Sequence, residues 1–188
     1  MSGGKPLPRV LSGTFRLTRF RADGLLLFDA TPQAFFNSLA PLMAFPLVGG
    51  GLALLNGTLR TGIVNLLASV IALLAPPVLS HALARRWGRE EFWLRYAVAS
   101  NWCQSAMTLA ALLIGFATAA ASWGQPNGRE AVLSAIVFVL FYWLILGWFL
   151  ASRGLQLSAG RAVLFVVMLS FGTAFLVNLP LLAAEALQ

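Results

Sequence analysis

The chain has 188 residues, of which 59% are hydrophobic and only 10% charged. A soluble domain runs near about 45–50% apolar and about 25% charged, so water would meet far too much apolar surface here, and a lipid bilayer is the matching solvent. The length suits one helix bundle. The +7 net charge would suggest nucleic acid in a soluble protein. Here it is explained by basic residues flanking membrane spans, so no nucleic-acid partner is expected.

Residues 1–30 are polar and basic, with Lys5, Arg9, Arg16, Arg19 and Arg21. They do not read as a secretory signal peptide, because no small-residue cleavage site follows a short apolar core. Val10, Phe15, Leu17 and Phe20 alternate with the arginines, and Leu25 to Phe28 follow. Two expectations stand side by side: a disordered basic arm, or a stretch lying in the interface and drawn to anionic lipid headgroups.

Thr31-Pro32 has the form of a helix start, with Thr as N-cap and Pro at the first helical position. The first span follows, about 34–55. Pro41, Pro46 and the run Gly49-Gly50-Gly51 predict a bent helix, and Asn56-Gly57 a turn. The second span is about 62–83, with Pro76-Pro77 predicting a kink or a break. The connection after it carries Arg85, Arg86, Arg89 and Arg95. These four set the topology, because they cannot be threaded cheaply across a bilayer. Trp87, Phe92, Trp93 and Tyr96 supply an aromatic belt, and a short helix lying flat on the membrane is expected there. Spans three, four and five are about 97–122, 131–151 and 162–182. Each span holds about 21–26 residues, or about 32–39 Å as helix, enough to cross.

With the N-terminus inside, eleven basic residues fall on the inner side, and only Arg60 and Arg129 on the outer. The bias predicts a cytoplasmic N-terminus and an outside C-terminus. The expected fold is an all-α polytopic membrane helix bundle with five transmembrane helices. Residues 1–30 form a basic cytoplasmic or interfacial arm, and 31–188 the transmembrane domain.

No Asp, Glu, Lys or Arg falls in the middle of a span, which lowers the expectation of ion or proton coupling. One Cys and one His exclude an intrachain disulfide and paired His ligation of haem, and no cofactor or metal site is expected. Asn101, Gln104, Ser105 and Thr108 share one helix face by their i, i+3, i+4, i+7 spacing. At similar depth lie Asn37 and Ser38 on the first span, and Ser80 and His81 on the second. Together they could line a pocket open to the cytoplasm, with His81 as a titrating switch. The simpler alternative is that they bond neighbouring helices together. Ser170, Ala174 and Asn178 repeat the pattern on the last span and read as a packing seam. Cys103 reads as an inert buried thiol, and Tyr142-Trp143 as a pair packed inside the bundle or against a partner.

At HALARRWGREEFWLRYAVASNW, with the preceding Pro76-Pro77, the chain resembles bacterial members of the Yip family of five-span membrane proteins. GLLLFDATPQAFFNSLAPLMAFPL looks like proteins of the same general kind. The resemblance implies a non-enzymatic membrane protein acting through partners. Eukaryotic relatives bind small GTPases through segments with no match here, so no functional residue is carried over. The expectation is therefore a non-enzymatic protein of a bacterial inner membrane. It would be a membrane-organising or accessory subunit, with the bilayer, its anionic headgroups, and a membrane protein or a second copy as partners. The alternative is a small neutral-solute transporter working through the inner-leaflet polar pocket between spans one to three.

Overall fold

The computed structural model describes residues 7–56, 59–125 and 127–186, without the side chains of residues 45–56, 59–61, 181 and 183–186. The described residues are helical or in turns, with no strand among them. They form α1 (Leu7–Thr18), a 3₁₀ segment (Ala22–Leu27), α2 (Pro32–Asn56), α3 (Leu59–Arg86), α4 (Glu90–Ala121), α5 (Gly128–Gly154) and α6 (Ala159–Ala186). Four of the five expected spans lie inside one of the helices α2, α3, α5 and α6, and the third, 97–122, runs one residue past the end of α4 at Ala121. Four helices, over Gly62–Arg86, Glu90–Ala121, Gly128–Gly154 and Ala159–Pro180, are long and apolar enough to cross a membrane. The first span is helical throughout, but its glycine run and Pro46 have side chains or flanks outside the described ones, and Gly57 is outside the described residues.

The helix starts and stops obey local chemistry. Thr31 caps α2 as expected, its Oγ1 accepting from the Ala34 N–H at 3.2 Å. Pro76 and Pro77 lie inside α3 without ending it, so the expected break does not occur. A missing N–H leaves the carbonyls four residues earlier, on Ala72 and Leu73, without their helical donors.

The arginine connection is shorter than expected. Instead of a flat helix it is a three-residue turn, Trp87 to Arg89, between α3 and α4. Arg89 N–H donates to the Ala84 carbonyl at 2.8 Å and Gly88 N–H to that of Arg85 at 3.1 Å, with Gly88 left-handed at φ +66°. This is the Schellman closure of a helix end, which favours Gly at that position. Glu90 and Glu91 then open α4, where the helix dipole welcomes negative charge. Arg85 and Arg86 therefore end α3, Arg89 precedes α4, and Arg95 stands on it.

The long helices close a ring in the order α2, α3, α6, α5, α4, and α3 and α4 also touch across it. This divides the bundle into a three-helix side (α2, α3, α4) and a four-helix side (α3, α6, α5, α4). Burial concentrates at one end. The core gathers Tyr96 to Met107 of α4, Leu146 to Ala151 of α5, Ala162 and Phe165 of α6, and Ala84 of α3. Elsewhere apolar side chains point outward, as at Phe116 (77% exposed), Phe138 (67%) and Phe171 (73%). Such a surface suits acyl chains.

The expectation of a disordered arm is overturned for residues 7–28, which are folded onto the core end. Leu17, Leu25 and Phe28 join the core, and α1 packs on α4 and α5. The arginine alternation hid this, because at helical spacing it resolves into three strips. Val10, Gly13, Thr14 and Leu17 face the bundle. Leu7, Leu11 and Phe15 remain exposed, one apolar residue per turn. Arg9, Arg16 and Arg19 occupy the rest. Gly13 and Gly24 permit the close crossing of α1 and the 3₁₀ segment: a Cβ on Gly24 would meet the Gly13 carbonyl oxygen at 2.8 Å. Another Schellman closure ends α1, with Arg21 N–H donating to the Arg16 carbonyl at 3.0 Å and Phe20 N–H to that of Leu17 at 2.9 Å. Phe20 here adopts φ +58°, a costly conformation for a bulky residue. Its ring is held between Tyr142 and Phe149, each at 5.6 Å. The Tyr142 hydroxyl donates to the Thr18 carbonyl, satisfying one of the helix-end acceptors.

Candidate functional site

The polar residues singled out by sequence do not converge on one pocket. Asn101 and Ser38 form a buried pair across the three-helix side: Asn101 Nδ2 donates to Ser38 Oγ at 2.9 Å, and Ser38 Oγ donates to the Phe35 carbonyl at 2.7 Å. Ser105 and Thr108 turn back onto their own helix, donating to the carbonyls of Asn101 and Gln104 at 3.0 and 2.9 Å. Asn37 is exposed and accepts from Gln33 Nε2 at 3.1 Å.

His81 stands at the α3–α4 corner. Its Nε2 is 3.2 Å from Glu90 Oε1, and its ring meets the Trp93 ring edge-on at 4.6 Å. Trp93 Nε1 donates in turn to Ser80 Oγ at 3.1 Å, and Ser80 donates to the Pro77 carbonyl at 3.1 Å. This network ties the two helices beside the turn. Near Asn101 and Gln104 only a void of about 20 Å³ remains, room for about one water.

Gln104 instead lines a different space, a cavity of about 540 Å³ on the four-helix side. Its inner wall is buried, with Tyr96, Cys103, Met107, Leu146 and Leu150. Its rim, with Trp143, Ser170, Ala174 and Asn178, is exposed. The stripe Ser170, Thr173, Ala174, Val177, Asn178 follows helical i, i+3, i+4, i+7, i+8 spacing. In the sequence it reads as a seam, because nothing there says that α6 stands opposite α4. Ala72 and Pro76 line the cavity from α3. Cys103 is a buried free thiol, as expected.

A second hollow, of about 550 Å³, lies under the arm at the core end. Asp23, Leu25 and Leu26 line it from the arm, Glu91, Phe92 and Arg95 from α4, and Arg153 from α5. The arm, the α3–α4 turn and the α5–α6 turn thus meet at one end of the bundle. Asp23 is already engaged, receiving Arg16 Nη1 at 2.7 Å and Arg21 Nη2 at 3.2 Å. Partial desolvation works to raise its carboxyl, but the hydrogen bonds and charges of Arg21 and Arg16 outweigh it and hold the group below the usual carboxylate range.

Among the described residues no group of three His, Cys, Asp or Glu side chains could hold a metal ion. Comparisons of the chain with protein-family models, curated proteins and solved structures found no match.

Proposed function

We propose that the chain is a non-enzymatic five-span protein of a bacterial inner membrane. In this reading it serves as a membrane-organising or accessory subunit, packing its helices against another membrane protein or a second copy. The reading draws on the resemblance of the connection between spans two and three to that of the five-span Yip proteins, which implies a non-enzymatic membrane protein acting through partners. Four helices have the length and apolarity to cross, and α2 supplies the fifth crossing. Its 25 residues reach about 37 Å as helix, and no residue between Asp29 and Arg60 carries a charge. The N-terminus is cytoplasmic and the C-terminus outside, because the arm, Arg85, Arg86, Arg89, Arg95 and Arg153 gather at one end, which the positive-inside rule assigns to the cytoplasm.

The observation that carries the accessory role is the commitment of the polar side chains. Ser38 with Asn101, and Ser80 with Trp93, are joined between helices, the use expected of a scaffold. The interfacial arm adds a basic, partly apolar surface for anionic headgroups.

Mild detergent extraction of the native membrane, followed by purification and identification of what comes with the chain, tests the proposal. A partner at fixed stoichiometry or a stable homo-oligomer is expected. A chain that purifies as a lone monomer and moves a neutral solute by itself in liposomes overturns it.

A further inference from the structure

The four-helix cavity has the attributes of a binding site, and its chemistry narrows the ligand. At about 540 Å³ it falls within the range of small-molecule pockets. It is mostly apolar, and none of its lining residues carries a charge. Among those residues, hydrogen-bonding capacity is left unspent. Thr173 Oγ1 is the one buried side-chain polar atom, among the described residues, without a hydrogen-bond partner. Gln104 receives Thr108 on its backbone carbonyl, but its side-chain amide makes no hydrogen bond among the described residues. Asn178, on the exposed rim, spends one amide proton on the Ala174 carbonyl at 2.7 Å, leaving its second for a ligand acceptor.

Native proteins seldom leave buried polar groups unmatched. The unmatched Thr173 hydroxyl, with the uncommitted Gln104 amide on the wall of the same apolar space, marks the place where a ligand supplies the partner. We propose that this cavity binds a neutral, lipid-soluble molecule carrying carbonyl groups on an apolar body. The proposal goes beyond the accessory role and stands without it.

The walls argue for each attribute of the ligand. Neutrality follows from the lining, since a charge placed there finds no counter-charge and loses its hydration. A carbonyl head follows from the donors on offer, the Thr173 hydroxyl and the Gln104 amide N–H groups. An apolar body follows from the length of the lining. It runs along α6 from Val166 to Asn178, twelve helical rises or about 18 Å, between Met107, Trp143 and Leu146. Entry is lateral from the bilayer, across the exposed rim of Trp143, Ser170 and Ala174.

The test uses the full chain, purified in detergent, and three probes matched in ring and tail: a short prenyl tail on a benzoquinone, the same tail on a benzoate, and the same tail on a bare benzene ring as the hydrocarbon. Binding is read as a saturable rise in melting temperature. The quinone is expected to bind and the carboxylate not. Thr173→Val and Gln104→Leu are each expected to weaken quinone binding about five- to tenfold, the effect of one lost hydrogen bond. Without ligand, Thr173→Val should melt no lower than the parent, because the hydroxyl it removes has no partner, so weaker binding cannot be ascribed to misfolding. Hydrocarbon binding as tight as quinone, quinone binding untouched by both substitutions, or no quinone binding at all overturns the proposal.

Discussion

Asn101 and Ser38 are 63 positions apart in the chain, and their meeting fixes how α2 sits on α4. The two ends of the bond are not equivalent. Ser38 donates its single hydroxyl proton to the Phe35 carbonyl and only accepts from Asn101. Replacing Asn101 by Leu therefore leaves Ser38 with its donor satisfied, and the new side chain is apolar in an apolar place. Replacing Ser38 by Ala strands an amide on Asn101, which is only 6% exposed, and an orphaned buried donor costs about 1–3 kcal/mol. Ser38→Ala is thus expected to destabilise the protein more than Asn101→Leu, with a coupling of about 0.6–1.7 kcal/mol in the double-mutant cycle. Thermal denaturation in detergent gives both quantities. An Asn101→Leu variant that melts below Ser38→Ala would show that the pair does not bond as described. At this scale the sequence was only half readable. Spacing placed Asn101, Gln104, Ser105 and Thr108 on one face, but it could not say that Asn101 faces α2, that Gln104 faces the four-helix cavity, or that two hydroxyls turn inward to their own backbone. Neighbouring residues on one helix can serve different partners, and only the neighbours decide which.

Among the elements, the arm departs furthest from its sequence pattern. Its arginines mask a buried strip whose partners, Leu25 and Phe28, come after a turn made by the unfavourable backbone of Phe20. Propensity argues against a left-handed Phe, and tertiary contacts with Tyr142 and Phe149 override it. The helices themselves were legible, because unbroken apolar runs of more than twenty residues admit little else. The arginine connection was not, since the acidic pair Glu90-Glu91 reads as neutralising charge as readily as opening a helix. Asp23 gives the arm a pH dependence whose sign can be worked out. Its carboxyl is held below the usual range when folded, so the bridges to Arg16 and Arg21 contribute at any pH above its ordinary value. That contribution is lost as pH falls through the lowered value. Protease cleavage within residues 7–28 should therefore be slow at neutral pH and quicken below the ordinary carboxylate range. Because the bridges are partly exposed, high salt should quicken it too. Asp23→Asn should cleave faster at neutral pH and lose the acid step. Cleavage of Asp23→Asn with the parent's pH profile would assign the dependence to another group.

For the molecule as a whole, the end that carries the core also carries the arginines. Tight packing and positive charge coincide where α1, the α3–α4 turn and the α5–α6 turn meet, while the other end offers apolar side chains outward with little burial among the described residues. A bundle anchored at one face and looser at the other matches a bilayer in which one headgroup layer is bound firmly and acyl chains fill the gaps between helices. This arrangement makes the orientation testable with the protein's own sequence, because the single native cysteine, Cys103, is buried and silent to a membrane-impermeant maleimide. Single cysteines at Ser12 in the arm, at Arg89 in the α3–α4 turn and at Gln125 in the α4–α5 turn report three positions on the bundle. In intact cells with a permeable outer envelope, Gln125→Cys should be labelled, whereas Ser12→Cys and Arg89→Cys should be labelled only in inverted vesicles. Arg89→Cys reacting from outside would invert the whole assignment. Ser12→Cys reacting from outside while Arg89→Cys stays protected would mean that α2 does not cross. Four crossings would then replace five, although the arm could not keep its packing on α4 and α5. Since eleven of the thirteen basic residues lie on the proposed inner side and the positive-inside bias opposes carrying such residues across the bilayer, the inverted arrangement is the one the charges oppose most strongly.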